Sequence, residues 1–227
     1  MRQSFCWRII TTILITIFAY SANAGVVVGG TRLVYDGSKK ESSIRVENPD
    51  ELAYLVQSWV DSTEGTRNNV PFIITPPLFR LNAKQDNILR VIKVGANLPE
   101  DRESLYWLNV KAIPSSEKKD NTLQIAIKTR IKFIYRPASI QQSPEEAAKV
   151  LQWHQRGKQL IVKNASPFYF TFFSVNVNGI KLRDDVRMVS PLSELTFDLP
   201  NDNKASNITW QIINDFGGAS KSYSSAL

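Results

Sequence analysis

The sequence predicts an all-β protein built from two immunoglobulin-like β-sandwich domains. About seven short stretches of alternating apolar and polar residues, separated by turn residues, lie between residues 25 and 136. That region has no 3.6-residue helical period. A second series of strand-like stretches lies between residues 159 and 213. The Cys…Trp…Cys pattern of antibody domains is missing, so this prediction concerns architecture alone.

The first 24 residues have the form of a secretory signal peptide. Arg2 and Arg8 precede an apolar run, and Ala22-Asn23-Ala24 follows it with the small residues of a cleavage site. The run is too short to span a membrane comfortably, which disfavours a retained membrane anchor. We therefore expect export and a mature chain that begins at Gly25.

Loss of this leader changes the chemistry that the chain can offer. Cys6 is the single cysteine of the sequence, so the mature chain has neither disulfides nor thiol chemistry. The leader holds two arginines and no acid, so the formal net charge falls from +7 to +5. An exported protein rarely meets nucleic acid, and most of the cations are mixed with carboxylates. We therefore expect no nucleic-acid partner.

The first predicted domain covers residues 25–140. Its first strand, at 26–35, is interrupted by Gly29-Gly30, where a bulge or bend is expected. Arg32 lies within this apolar strand, either exposed on a polar face or buried and in need of an anionic partner. Thr75-Pro76-Pro77 forces the chain to turn or to follow a sheet edge. Further strands are predicted at 43–48, 54–60, 72–74, 78–81, 88–94 and 105–113.

The longest predicted strand, at 123–136, has two different faces, because successive strand side chains point to opposite sides. The apolar face consists of Leu123, Ile125, Ile127, Thr129, Ile131, Phe133 and Tyr135. The largely cationic face consists of Gln124, Ala126, Lys128, Arg130, Lys132, Ile134 and Arg136. Strands usually have about 3–10 residues. This one is either a long core strand that serves two sheets, or its apolar edge is partly kept for another purpose.

The second predicted domain covers residues 141–227. Ser143-Pro144-Glu145-Glu146 has the capping residue, proline and acids that begin a helix, which we expect to be one or two turns long. Residues 220–227 are expected to be loose. Strands are predicted at 159–162, 168–177, 186–188, 194–199 and 208–213.

The sequence lacks the residues that most enzymatic mechanisms require. His154 is the single histidine, and its polar surroundings predict a solvated turn rather than a catalytic base. Zinc sites need several nitrogen or sulfur ligands, and the mature chain cannot supply them. No glycine-rich phosphate loop follows a strand and opens a helix. We therefore expect a binding protein without catalytic residues, metal, cofactor or small-molecule substrate.

Five segments of the mature chain, in order, resemble the periplasmic pilus-assembly chaperones of the PapD-like family, and among them those that serve type 1 pili. The segments are residues 30–35, 75–81, 98–107, 123–126 with 131–137, and 164–169 with 213–218. The resemblance implies two immunoglobulin-like domains set as an L with a binding cleft between them. It also implies a periplasmic protein that binds pilus subunits by donor-strand complementation and delivers them to an outer-membrane usher.

The same resemblance assigns roles to individual residues. Arg32 and Lys132 match two cleft cations that bind the C-terminal carboxylate of a pilus subunit. The donor-strand positions match Leu123, Ile125, Ile127 and Thr129, and an interdomain charge network matches Glu103, Arg136 and Asp215. The family carries a cis peptide at Thr75-Pro76, an isomer that the sequence does not decide. Unlike some members, this chain has no cysteine for a disulfide in the second domain. Its short loop at 115–121 favours the branch that assembles rod-like pili.

Two other functions remain as alternatives at this stage. An exported immunoglobulin-like adhesive or structural module would explain the sandwiches and the basic charge, but not Arg32 and Lys132 beside a long donor-like strand. A secreted hydrolase would need His154 next to a nucleophile. Self-association of the free protein through its edge strand is left open.

Overall fold

The computed structural model describes residues 25–95, 98–115, 123–182, 187–199 and 204–227. The predicted signal peptide, the loop at 116–122 and the start of the predicted strand at 186–188 lie outside these residues. The predicted all-β class is confirmed, because the described part of the chain forms seventeen strands and one short helix. None of its helices is long and apolar enough to cross a membrane.

The first domain is a sandwich of two sheets. Its strands are β1 Val27–Val28, β2 Arg32–Asp36, β3 Glu41–Glu47, β4 Tyr54–Asp61, β5 Phe72–Thr75, β6 Leu78–Leu81, β7 Asp86–Lys93, β8 Ser104–Pro114 and β9 Ile127–Arg136. One sheet has the order β1-β3-β7-β5 and the other the order β2-β9-β8-β4-β6. The Thr75-Pro76 peptide between β5 and β6 is cis.

Alternating side chains build the core between these sheets. Val46 of β3 and Leu89 of β7 are fully buried from one sheet. Tyr35 and Phe133 meet them from the other, and the Phe133 ring lies edge-on to Phe72 with centroids 4.8 Å apart. Burial of each such side chain contributes about 1.5–3 kcal/mol, which is how a chain without disulfides is stabilised.

The predicted interruption at Gly29-Gly30 is confirmed, and it moves the chain from one sheet to the other. β1 pairs with β3, whereas β2 pairs with β9 in the opposite sheet. The Gly29 N–H donates to the carbonyl of Arg45 at 2.8 Å, and a Cβ at Gly29 would lie 3.1 Å from that oxygen. The absent side chain therefore permits the crossover.

The long strand is shorter than predicted. β9 begins at Ile127, and residues 123–126 carry no strand pairing. An apolar–polar alternation indicates which side chains can face a core, but it does not show how far two strands stay paired. The register between β8 and β9 ends at Ala112 and Ile127, although β8 itself continues to Pro114 beside β4. Within β9 the predicted faces hold, with Ile131, Phe133 and Tyr135 in the core.

The second domain also has two sheets. Its elements are α1 Pro144–Lys149, β10 Gln152–Arg156, β11 Gln159–Asn164, β12 Phe170–Val177, β13 Ile180–Lys181, β14 Met188–Val189, β15 Ser193–Asp198, β16 Asn207–Ile212 and β17 Tyr223–Ala226. One sheet has the order β10-β11-β15 and the other β13-β12-β16-β17, with β14 beside β12. The short predicted helix is confirmed, and the Ser143 hydroxyl caps it by accepting the Glu146 N–H at 3.2 Å.

Two expectations for this domain are wrong. His154 lies in β10, opposite Ile161 of β11, rather than in a turn. The C-terminal residues are not loose, because β17 pairs with β16. In each short strand one buried aromatic residue anchors a polar segment, Trp153 in β10 and Tyr223 in β17, and both contact the Trp210 ring. One apolar residue among polar ones is too weak a sequence signal for a strand.

Candidate functional site

Arg32 and Lys132 are neighbours although a hundred residues separate them in the chain. They are register partners in the parallel pair β2 and β9, so both side chains project from the outer face of the sheet. Arg32 is only 8% exposed and Lys132 is partly buried. Within the described residues, no carboxylate forms an ion pair with either cation.

The surroundings of Arg32 and Lys132 disfavour the charged forms of both side chains in the free protein. Burial lowers the pKa of the Arg32 guanidinium, and the charges of Asp215 and Glu103 only partly oppose it. Burial and then the charge of Arg32 lower the pKa of the Lys132 ammonium. Each shift means that the environment disfavours the charged form. An anion placed between the two cations would relieve that penalty, so this pair has the electrostatics of an anion-binding site.

The second domain orients Arg32. Its Nη1 donates to the carbonyl of Ile213 at 3.0 Å, and its buried Nε has no hydrogen-bond partner in the described structure. One edge of the guanidinium is thus held by the backbone of the second domain. The other N–H groups remain available to a planar carboxylate, for which the guanidinium is geometrically suited.

The loop at 213–218 is held by internal hydrogen bonds and lies against the start of β2. Asn214 Oδ1 accepts the N–H groups of Phe216 at 3.1 Å and Gly218 at 3.0 Å. Gly217 has a φ of +85°, and a Cβ on it would lie 2.6 Å from Thr31 Oγ1. Only glycine allows this approach, which brings the carbonyl of Ile213 to Arg32.

Gly217→Ala should therefore destabilise the protein more than a positive φ alone explains. The matched control is Gly157→Ala, since Gly157 has a φ of +57° and nothing within 4 Å of its Cβ position. We expect about 1–2 kcal/mol for the control and about 1–3 kcal/mol more for Gly217→Ala because of the added contact. Urea unfolding measures both, and Thr31→Ala should recover part of the difference. Equal losses of stability in Gly217→Ala and Gly157→Ala would show that the Thr31 side chain moves aside at no cost.

A buried charge network joins the two domains. Arg136 at the end of β9 donates from Nε to Glu103 Oε1 at 2.7 Å, and its Nη1 and Nη2 donate to Asp215 at 2.7 and 2.9 Å. Glu103 Oε2 accepts the backbone N–H of Tyr169 at 2.7 Å. The predicted trio is thus in direct contact and holds the loop at 213–218 against the first domain.

The pKa values in this network reflect burial opposed by pairing. Burial raises the pKa of Glu103, although Arg136 and the Tyr169 N–H favour its ionised form. Burial also disfavours the charge of Arg136, but the hydrogen bonds and charges of Asp215 and Glu103 outweigh it and raise the pKa of the guanidinium. The network is stable only when it is complete, since a lone buried charge would be costly.

The predicted donor-strand residues are exposed. Leu123, Ile125 and Ile127 expose 84%, 64% and 45% of their surface, and Thr129 is partly exposed. β2 accompanies β9 only from Lys132 onwards, so within the described ranges the edge of β9 from Ile127 to Ile131 has no partner strand on that side. An exposed apolar edge of this kind promotes pairing with another chain.

The sequence reasoning missed several contributors to this site. It did not assign roles to the Ile213 carbonyl, the Tyr169 N–H or the Gly217–Thr31 contact. The run of turn residues at 214–218 was the available signal, but backbone groups carry no sequence signature of their partners. No cluster of potential metal ligands occurs in the described part of the chain.

Comparison with known proteins identifies the family. Residues 25–141 match the pili and flagellar-assembly chaperone, PapD N-terminal domain, and residues 146–224 match the pili assembly chaperone PapD, C-terminal domain. Together these matches span most of the chain.

Individual relatives agree with this result. The chain is 43% identical over 201 residues to the chaperone protein FimC of Escherichia coli strain K12, covering 86% of this chain and 82% of FimC. It is 45% identical over 199 residues to the probable fimbrial chaperone LpfB of Escherichia coli O157:H7, covering 85% and 84%.

Solved structures show the same fold. A chain in the structure of the Salmonella enterica SafA pilin in complex with the SafB chaperone superposes with a TM-score of 0.82 at 33% identity, covering 92% of this chain and 99% of that one. The periplasmic chaperone SfaE gives a TM-score of 0.76 at 36% identity, covering 88% and 97%. The predicted resemblance is therefore confirmed, and the chain belongs to the PapD-like family of pilus-assembly chaperones.

Proposed function

We propose that this protein is a periplasmic chaperone that captures pilus subunits, shields them and delivers them to an outer-membrane usher. The observation that carries the proposal is a buried Arg32 and a partly buried Lys132 that form no ion pair within the described residues, directly beside an exposed apolar strand edge. In this proposal Arg32 and Lys132 bind the C-terminal carboxylate of the subunit. Relatives named as a chaperone protein and as a probable fimbrial chaperone support it.

The geometry of β2 and β9 sets the direction of the bound subunit strand. β2 is parallel to β9 and begins beside Lys132, so the free edge of β9 lies before that point. A subunit strand whose carboxylate ends between Arg32 and Lys132 would lie along that edge and run parallel to β9. Backbone hydrogen bonds would then extend the sheet along β9 before the start of β2.

The apolar side chains supply the remaining affinity. Leu123, Ile125 and Ile127 alternate on one side and would fill a groove in a subunit that lacks one strand of its own. Each buried aliphatic side chain contributes about 1.5–3 kcal/mol. Part of this gain offsets the ordering of residues 123–126, so the complex can be firm yet exchangeable. Replacement by a neighbouring subunit's strand at the usher would release the chaperone without a nucleotide.

Ile125→Ser tests the donor-strand assignment. Because Ile125 is 64% exposed, its replacement should change folding stability by no more than about 0.5 kcal/mol. Subunit capture should fall about 10- to 150-fold, from the lost burial of one side chain. Co-purification of a co-expressed pilus subunit from periplasmic extract, with thermal unfolding of the free chaperone, measures both.

Ile180→Ser is the matched control, since Ile180 is 60% exposed in the second domain. Capture by this control should equal that of the unaltered protein. If Ile125→Ser also binds subunits at the unaltered level, residues 123–127 are not a donor strand. A drop in folding stability with Ile125→Ser would instead indicate that this segment packs in the core of the free protein.

A further inference from the structure

The outer face of the β2-β9-β8-β4-β6 sheet carries stacked cations and tryptophans next to Lys132. We call this surface the cationic face and define it by Trp59, Arg67, Trp107, Lys128 and Arg130. The guanidinium carbon of Arg130 lies 4.4 Å from the Trp107 ring centroid, and that of Arg67 lies 4.5 Å from the Trp59 ring. Lys128 Nζ lies 5.9 Å from the same Trp59 ring.

Stacking holds these cations in place without neutralising them. A guanidinium that lies flat on an indole keeps its N–H groups at the edge, where a carboxylate can accept them. Lys128 and Arg130 are exposed, and neither forms an ion pair with any residue in the described ranges. Lys128 and Arg130 are therefore positive charges that lack an acidic partner within the described ranges, whereas Arg67 lies near Asp61.

Asp61, an acid close to these groups, is already engaged. Asp61 is the only acidic residue that β4, β8 and β9 contribute to this side of the sheet. Its buried carboxylate accepts Asn109 Nδ2 at 3.0 Å and lies 3.9 Å from Arg67 Nε. It fixes Arg67 beside Trp59 and leaves the net charge of the surface positive.

The cationic face is continuous with the anion site. Trp107 is the register partner of Lys132, and Asn109 is the partner of Arg130, one pair further along β8 and β9 on the same side. From Lys132 to Lys128 the strand advances by about 13 Å. These cations follow the same segment of β9 whose edge is free, so a chain bound along that edge would pass beside them.

We propose that the cationic face is a second contact surface for the pilus subunit and that it binds acidic side chains flanking the subunit's C-terminal strand. This inference rests on the proposed function, because the subunit held at Arg32, Lys132 and the β9 edge is the occupant that must come near this face. The oriented charges attract an acidic subunit surface during encounter and fix its orientation before the strand pairs. Electrostatic complementarity of this kind acts mainly on association rate and specificity.

The test compares two double variants that reverse the same number of charges. The face variant carries Lys128→Glu and Arg130→Glu. The control variant carries Arg156→Glu and Lys163→Glu, at two exposed cations of the second domain. A purified pilus subunit, diluted from denaturant into the chaperone, reports association by stopped-flow fluorescence at several salt concentrations. We expect the face variant to associate about 10- to 100-fold more slowly at low salt. The difference should shrink at about 0.5 M salt, where charges are screened.

The neutral variant, Lys128→Gln with Arg130→Gln, should give an intermediate rate, and thermal unfolding checks that each variant is folded. If both reversals slow association equally, net charge alone acts and the inference is overturned. It is also overturned if the face variant loses only binding to a single-stranded oligonucleotide and keeps its subunit association rate.

A Lys132→Ala variant measured in parallel separates this inference from the proposed function. Loss of capture with Lys132→Ala and no effect of the face variant would overturn the inference alone. Full capture by Lys132→Ala would overturn the proposed function, on which the inference depends.

Discussion

Replacing Lys132 by methionine is expected to abolish subunit capture while leaving the free protein at least as stable. Truncating one member of a desolvated, hydrogen-bonded charge pair costs about 2–5 kcal/mol of binding free energy, or about 30-fold to several-thousand-fold in affinity. The free protein loses nothing comparable, because Lys132 has no ion-pair partner in the described residues and is repelled by Arg32. Isothermal titration with a purified subunit and urea unfolding measure the two effects.

The control for this experiment is Lys163→Met, which removes an exposed cation of the second domain. It should leave affinity unchanged. A subunit whose C-terminal carboxylate is amidated should bind the unaltered chaperone as weakly as the ordinary subunit binds Lys132→Met. Amidation should weaken binding to the Lys132→Met variant little further. If amidation weakens Lys132→Met as strongly as it weakens the unaltered protein, the carboxylate does not contact Lys132.

The lowered pKa of Lys132 also predicts a pH dependence. The folded protein releases the lysine proton at a lower pH than the unfolded chain does, so the unfolded state binds more protons in the interval between the two pKa values. The stability of the unaltered protein should therefore rise relative to Lys132→Met as the pH increases towards about 10. Subunit affinity should fall over the same interval, because the ammonium is lost.

Arg136→Ala should produce the largest loss of folding stability. The Glu103 side chain is only 1% exposed, and removal of Arg136 leaves its carboxylate buried with the Tyr169 N–H as its remaining hydrogen-bond donor. Breaking a buried pair in this way costs about 3–5 kcal/mol. The contact to Asp215 is lost as well, so the loop at 213–218 is no longer tied to β9.

The stability lost in Arg136→Ala should increase as the pH rises. Burial already raises the pKa of Glu103, and loss of Arg136 raises it further. The folded state then binds more protons than the unfolded state above the ordinary glutamate pKa, so stability falls as the pH rises through that window. Urea unfolding at pH 5 and pH 8 should show a smaller deficit for Arg136→Ala at the lower pH.

A double-mutant cycle with Glu103→Gln gives the decisive comparison. Arg136→Ala in the Glu103→Gln background should cost less than it does in the unaltered protein, because no buried carboxylate is left unpaired. Equal costs in the two backgrounds would mean that Arg136 acts through packing, for example over the Phe168 ring 5.2 Å away, and not through its charge.

Local sequence patterns were enough to predict the two β-sandwich domains and an exposed apolar strand with a cationic opposite face. Alternation along 127–136 placed Phe133 and Tyr135 in a core and Lys132 on the opposite face. Gly29-Gly30 marked an interruption of the first strand, and the scarcity of histidine and cysteine pointed to binding rather than catalysis. The assignment of Phe133, Tyr135 and Lys132 to their faces succeeded because side-chain direction in a strand follows from local backbone geometry.

Which side chains and backbone groups meet became clear from the folded structure alone. The parallel register of β2 and β9 brings Arg32 to Lys132, and the carbonyl of Ile213 orients the guanidinium from a loop about 180 residues further along the chain. The tertiary structure also placed Arg130 over Trp107 and ended the pairing of β9 with β8 at Ile127 and Ala112. Strand pairing and backbone hydrogen bonds depend on neighbours distant in the chain, and local periodicity carries no record of them.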